Sequence, residues 1–237
     1  MIPRWLRIAQ RVRHLAGRVR AVGCVRGLQI AYNALEGMAF DRFYGTDTCR
    51  RVGLAELALD PAAQAHGFKY DPAPISAVRR LLRSLDLGPG AVLVDVGSGK
   101  GRMLMVMAGL RVGRVVGVEF AAELCRIAQA NLARYAARRP GLAPVQIIHG
   151  DATELPILPE YTLFFLFNPF DDTIMEKFIG NLRAAHAACP RTVRLVYYNP
   201  VHRAVLERSG AFVLEQDLET FGRRFLVYRM LTPARAT

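Results

Sequence analysis

Three acids, one glycine-rich loop and one Asn-Pro turn carry the chemical signal of this sequence. Asp95 stands near the end of an apolar run, 91–96, two residues before Gly97-Ser98-Gly99-Lys100-Gly101-Arg102. Glu119 closes a second apolar run, 114–119, and Asp151 follows a third, 144–149. Asn168-Pro169-Phe170 follows a fourth, 162–167. Alternate glycines let a backbone turn sharply and approach a ligand where a Cβ would intrude. A helix starting behind them aims free N–H groups and a positive dipole end at the same place. Carboxylates at successive strand ends would line one crevice, which suits a ligand bearing cationic groups, hydroxyls and an amine.

Positioning those residues requires a particular scaffold. Apolar runs of strand length that do not alternate with polar residues predict strands buried on both faces. Between them lie helical patterns at 102–109, 121–138 and 172–187, and a fifth run, 192–198, ends in Asn199-Pro200. An earlier helix is expected over 73–86, with Pro74 near its first turn and Ile75, Val78, Leu81, Leu82 and Leu85 inward. Alternation of strand and helix predicts an α/β fold, a doubly wound and mostly parallel sheet. A short helix reaching Ser209 comes next. Two last runs, 211–214 and 224–230, joined by a polar connection, suggest a closing antiparallel pair. We expect a helical extension with loops over 1–72 and the main domain over 73–237.

Composition narrows the classes. The chain has 237 residues, 52% of them hydrophobic, with a formal charge of +12. That supports a large core and argues against disorder. Its basic residues are nearly all arginine, the lysines being Lys69, Lys100 and Lys177. Cys24, Cys49, Cys125 and Cys189 are scattered, with no Cys-x-x-Cys pair and no histidine at ligand spacing, so neither a metal site nor a disulfide framework is expected. No apolar run is long enough to span a membrane and no secretory leader pattern follows the basic N-terminus. The expectation is a cytoplasmic protein, free or peripheral at a membrane surface.

The loop fits only the first two glycines of the dinucleotide fingerprint Gly-x-Gly-x-x-Gly, because Arg102 stands where the third belongs. Read instead as Gly-x-Gly-x-Gly after Asp95, it resembles motif I of the class I S-adenosylmethionine (SAM)-dependent methyltransferases. With Asn-Pro after the fourth and fifth runs, the sequence is similar to a broad group of bacterial members of that class that share the Gly-Ser-Gly-Lys-Gly-Arg loop. The segment 41–48 resembles the part that precedes their main domain. The resemblance implies a seven-stranded sheet and SAM as cofactor. It implies a loop of Gly97, Ser98, Gly99 and Gly101 along the methionine moiety. SAM's needs match the acids in order: Asp95 for the cationic end, Glu119 for the ribose hydroxyls, Asp151 with Ala152 for the adenine amine. A nicotinamide dinucleotide would use Glu119, give no reason for Asp151-Ala152 and set its pyrophosphate against Asp95.

In amino-methylating relatives an Asn- or Asp-Pro-Pro-aromatic segment binds the acceptor's amino group and stacks an aromatic on it. This chain has one proline and the aromatic one place early. The expectation is that Asn168, beside the cofactor, positions a nitrogen acceptor and Phe170 packs on it. Tyr44 and Tyr70 are candidate lid residues. The acceptor, a protein or a small molecule, is not identified by any residue pattern. A SAM-binding partner protein without catalysis, and a nucleotide-dependent oxidoreductase, are the alternatives. Residues 1–22 place Trp5, Ile8, Val12, Leu15, Val19 and Val22 on one helical stripe among six arginines, with no acid before Glu36. That arm packs on its own domain or meets an anionic surface or polyanion.

Overall fold

A computed structural model describes residues 24–53, 70–220 and 223–231. The stripe over 1–22 and the residues Phe68 and Lys69 lie outside the described residues. The strands Val92–Val96 (β1), Arg114–Glu119 (β2), Val145–His149 (β3), Tyr161–Leu166 (β4), Arg194–Tyr198 (β5), Phe212–Thr220 (β6) and Arg223–Met230 (β7) form one seven-stranded sheet. Its order is β3-β2-β1-β4-β5-β7-β6, with every pair parallel except those made by β7. The helices are Cys24–Tyr44 (α1), Ile75–Ser84 (α2), Arg102–Ala108 (α3), Ala122–Ala136 (α4), Asp172–Ala188 (α5) and Arg203–Arg208 (α6).

Two apolar layers sandwich the central strands, which explains why these strands read as continuous hydrophobic runs. Leu93, Leu163, Phe165 and Val196 face a core shared with α2, α3 and Tyr135 of α4. Val92, Val94, Val96, Phe164 and Leu195 face the other, built on Phe178 and Leu182 of α5 and Leu206 of α6. All seven residues of α3 are buried. Each large apolar side chain removed from water in this way contributes about 1.5–3 kcal/mol before entropy is charged against it.

Two elements differ from the sequence expectation. The helix α1 runs on to Tyr44, well into the segment 41–48, expected among the loops before the main domain. Also, β6 reaches from Phe212 to Thr220, so the polar connection after Leu214 is itself strand. It is the edge of the sheet, exposed along most of its length, and alternation of core residues has no purchase there. Its antiparallel backbone ladder with β7 holds it, and ion pairs accompany that ladder: Arg224 on Asp217, and Arg229 and Arg194 on Glu215.

Candidate functional site

Strand order places β1 between β2 and β4, so the loop after β1 meets the ends of both neighbours at the carboxyl edge of the sheet. Gly97, Gly99 and Gly101 all have left-handed backbone, with φ of 76°, 54° and 79°. Each also admits a protein neighbour. A Cβ on Gly97 would lie 2.6 Å from Pro169 Cβ, and one on Gly99 would lie 2.4 Å from the Tyr70 ring. The loop is therefore gripped between the Asn168-Pro169 turn on one side and Tyr70 on the other. The Gly97 and Ser98 N–H groups both donate to the Val118 carbonyl, which fixes the loop to β2.

Beside the loop is a cleft lined by Asp95, Ser98, Glu119, Phe120, Phe167 and Asn168 among others. Glu119 is buried and accepts hydrogen bonds from Gly99 N–H (2.8 Å) and Ala121 N–H (3.0 Å). Burial raises its pKa, and these bonds oppose the rise. Asp95 is buried next to it, and burial together with the Glu119 charge pushes its carboxyl up to about 8. The Ser98 hydroxyl is buried with no hydrogen-bond partner among the described residues.

A raised acid pKa has a definite sign in stability. Between the unfolded value near 4 and the folded value near 8 the folded chain holds a proton that the unfolded chain has lost, so stability falls as pH rises. Asp95→Asn should remove that contribution, about 1.4 kcal/mol per pH unit across this window. Urea midpoints of both proteins from pH 5 to about 8 test it. Parallel curves would mean that Asp95 is already ionised in the folded protein.

Other expected site residues stand as follows. Asp151 is exposed two residues past β3, accepts from Thr153 N–H (2.7 Å) and is outside the cleft lining. Ala152 packs on the core beneath it. Asn168 lines the cleft with φ of 42°, in the left-handed region that Asn tolerates better than most side chains. Its Oδ1 accepts a long 3.4 Å contact from Val201 N–H. Phe170 is a correction: it is buried in the α5 layer with its ring 5.9 Å from that of Phe178. It joins Phe164 and Leu166 of β4 in that layer, just before the Asp171 cap of α5. The aromatic that faces the cleft is Phe167. Tyr44 is not a lid either; its ring packs 4.4 Å from Tyr135. Tyr70 does line the cleft.

Sequence reasoning passed over Phe120 and the two cations of the loop. Phe120 directly follows the acid of β2, where a helix N-terminus gives no reason for a bulky apolar residue, and that was the available signal. Lys100 is fully buried, with Nζ 3.0 Å from Asp47 Oδ2 and 5.6 Å from the Tyr70 ring centre. Arg102 is buried too, donating to Thr48 Oγ1 (2.8 Å), Cys49 Sγ (3.0 Å) and the Ala73 carbonyl (3.3 Å). Asp41 gathers the same segment, accepting from the Thr46 and Thr48 hydroxyls and the Thr48 and Cys49 N–H groups at 2.7–2.8 Å. Burial raises its pKa, but those bonds outweigh it and the net shift is downward.

A family model described as protein-L-isoaspartate(D-aspartate) O-methyltransferase matches residues 56–154, which include β1, β2 and β3. An RNA methyltransferase from Salinibacter ruber, solved with S-adenosyl-L-homocysteine, superposes at a TM-score of 0.50 and 23% identity, over 70% of this chain and 96% of that one. The fold is that of the class I SAM-dependent methyltransferases. TrmN from Thermus thermophilus gives 0.53 and 23%, over 67% of this chain and 49% of its own, about half its length. A SAM-dependent methyltransferase from Aquifex aeolicus gives 0.50 and 17%, over 72% and 93%. No curated protein matches the chain. The family model is a methyltransferase's and spans the strand–loop–helix unit that carries the glycines, so SAM is the cofactor and methyl transfer the reaction class. The residues of this methyltransferase fit that cofactor: a cationic ligand would offset the repulsion from Glu119 that holds a proton on Asp95, and the orphaned Ser98 hydroxyl needs a partner. Among the described residues no helix is long and apolar enough to cross a membrane. Among them, too, no cluster of three His, Cys, Asp or Glu could hold a metal.

Proposed function

We propose that this methyltransferase moves the SAM methyl group to a nitrogen acceptor, on a protein or a small molecule, seated against Asn168 and Phe167. SAM supplies an electrophilic methyl on a sulfonium, whose charge is lost as the bond breaks. The chain's own task is to bind both partners, align them and exclude water. Glu119 holds the ribose with the oxygen lone pairs its two backbone bonds leave over. Asp95 faces the cationic end, and the Gly97–Gly101 loop lies along the methionine moiety. Phe120 offers an apolar wall to the adenine, with Asp151 and Ala152 at its edge.

The observation that carries the nitrogen reading is Asn168, held in left-handed backbone on the cleft wall directly behind the glycine loop. A non-glycine residue in that region costs about 1–2 kcal/mol and marks a position set by its surroundings. The Asn168 side-chain oxygen can accept from an amine and so direct its lone pair forward. The family model favours a second reading, transfer to a carboxylate oxygen. Its match ends at 154, before β4 and Asn168, and thus supports the cofactor side more than the acceptor side.

Asn168→Ala should leave SAM affinity within about threefold while methyl transfer falls at least about tenfold, and Asn168→Gly, which removes the same acceptor contact without alanine's strain at a φ of 42°, should behave alike. Calorimetry with SAM and turnover on the same preparation check both halves. Full turnover in either variant would take Asn168 out of the mechanism.

A further inference from the structure

The outer face of α1 carries a group of exposed apolar residues that methyl transfer does not use. Leu28, Leu35 and Phe43 are 69%, 60% and 67% exposed, and Met38 is 43% exposed. Spacings of seven and eight residues bring Leu28, Leu35 and Phe43 onto one side of a helix. A contiguous apolar stripe on a surface helix marks a binding face more often than chance exposure does.

The charges around it are of one sign. The helix has two acids, Glu36 and Asp41, and both are turned inward and in use. Glu36 caps α2, accepting from Ile75 N–H (3.1 Å), Ser76 N–H (3.0 Å) and the Ser76 hydroxyl. Asp41 is taken up by the 46–49 segment. The outward side keeps exposed Arg42, and exposed Arg138 donates to the Phe43 carbonyl at its end. The sequence just before α1 adds six arginines over 1–22 and no acid.

We infer that this face of α1, with the arginine-rich segment before it, docks the methyltransferase on an anionic lipid surface. The apolar stripe enters the boundary between headgroups and acyl chains while the arginines meet lipid phosphates. A nucleic acid backbone would satisfy the arginines but leave Leu28, Leu35 and Phe43 without a partner. A second copy would bring the same positive field against itself.

The test is co-sedimentation of the full chain with phosphatidylcholine vesicles, with and without phosphatidylglycerol. Binding should require the anionic lipid and weaken steeply with salt. The double substitution Leu35→Glu, Phe43→Glu should lower vesicle binding at least about tenfold while SAM binding, read on the same sample, is unchanged. In a second variant, Leu35→Trp in a Trp5→Phe background, the indole emission should shift to the blue and become shielded from iodide when anionic vesicles are added. Equal pelleting of wild type and double variant, equal binding to neutral vesicles, or an unmoved indole signal overturns the inference. A dimer, or RNA binding, that the double substitution abolishes would do so as well, by giving the face to another occupant.

Discussion

Glu119→Ala should weaken SAM binding by at least about tenfold, and by more if the ribose contacts and the loop fail together. Two effects coincide at this side chain. Its carboxylate is the acceptor for a cofactor hydroxyl, and it also pins the Gly99 and Ala121 N–H groups at 2.8 and 3.0 Å. Deleting it orphans two backbone donors at a buried site, each worth about 1–3 kcal/mol when left unpaired. The glycine loop then loses its hold on β2 at the point where the cofactor would lie. Glu119→Gln separates the two effects, because one oxygen remains as an acceptor while the charge is gone. The glutamine variant should keep one of the two backbone bonds, because its NH2 cannot accept the other, and so lose less stability than alanine while losing most of the affinity. Calorimetric titration with SAM, beside urea unfolding of each variant, measures both. An alanine variant that binds SAM as tightly as wild type would remove Glu119 from the cofactor site.

The second large effect is expected at a residue that touches neither cofactor nor acceptor. Arg102 is 4% exposed and ties the first turn of α3 to Thr48, Cys49 and the Ala73 carbonyl. Arg102→Leu should cost about 2–5 kcal/mol, since it strips the buried Thr48 hydroxyl and Ala73 carbonyl of their donor and loosens the 46–49 segment that they hold. Lysine should not rescue it, because a single ammonium cannot reach three acceptors that a planar fork spans. The readout is a urea midpoint that falls with an unchanged slope. A midpoint within error of wild type would show that the 46–49 segment is dispensable to the fold.

Those two residues mark the boundary of what could be read from sequence. The central strands were legible because burial on both faces leaves a continuous apolar run, and the glycine loop because positive φ demands glycine. Glu119 and Asp95 followed from strand ends and register. Arg102 and Lys100 were not legible as anchors, since a cation in a loop normally points to solvent and only the fold reveals the 46–49 segment waiting for them. Phe170 was placed on the wrong side because the relatives' Asn-Pro-aromatic pattern was carried over to it, whereas it joins Phe164 and Leu166 in the layer under α5. The edge strand β6 hid for another reason: it is held by a backbone ladder with β7, and its exposed polar residues, Glu215 and Asp217 among them, carry no period that separates strand from loop.

The measurement closest to the central claim is transfer of a tritiated methyl group from SAM into fractionated cell extract, followed by mild alkali. Wild-type protein should label a protein or small-molecule fraction, the label should survive alkali as an N-methyl group does, and Asn168→Ala should reduce it at least about tenfold. Label released by alkali as methanol would identify a methyl ester and contradict the nitrogen assignment. No label in any fraction from protein that still binds SAM would contradict catalysis itself.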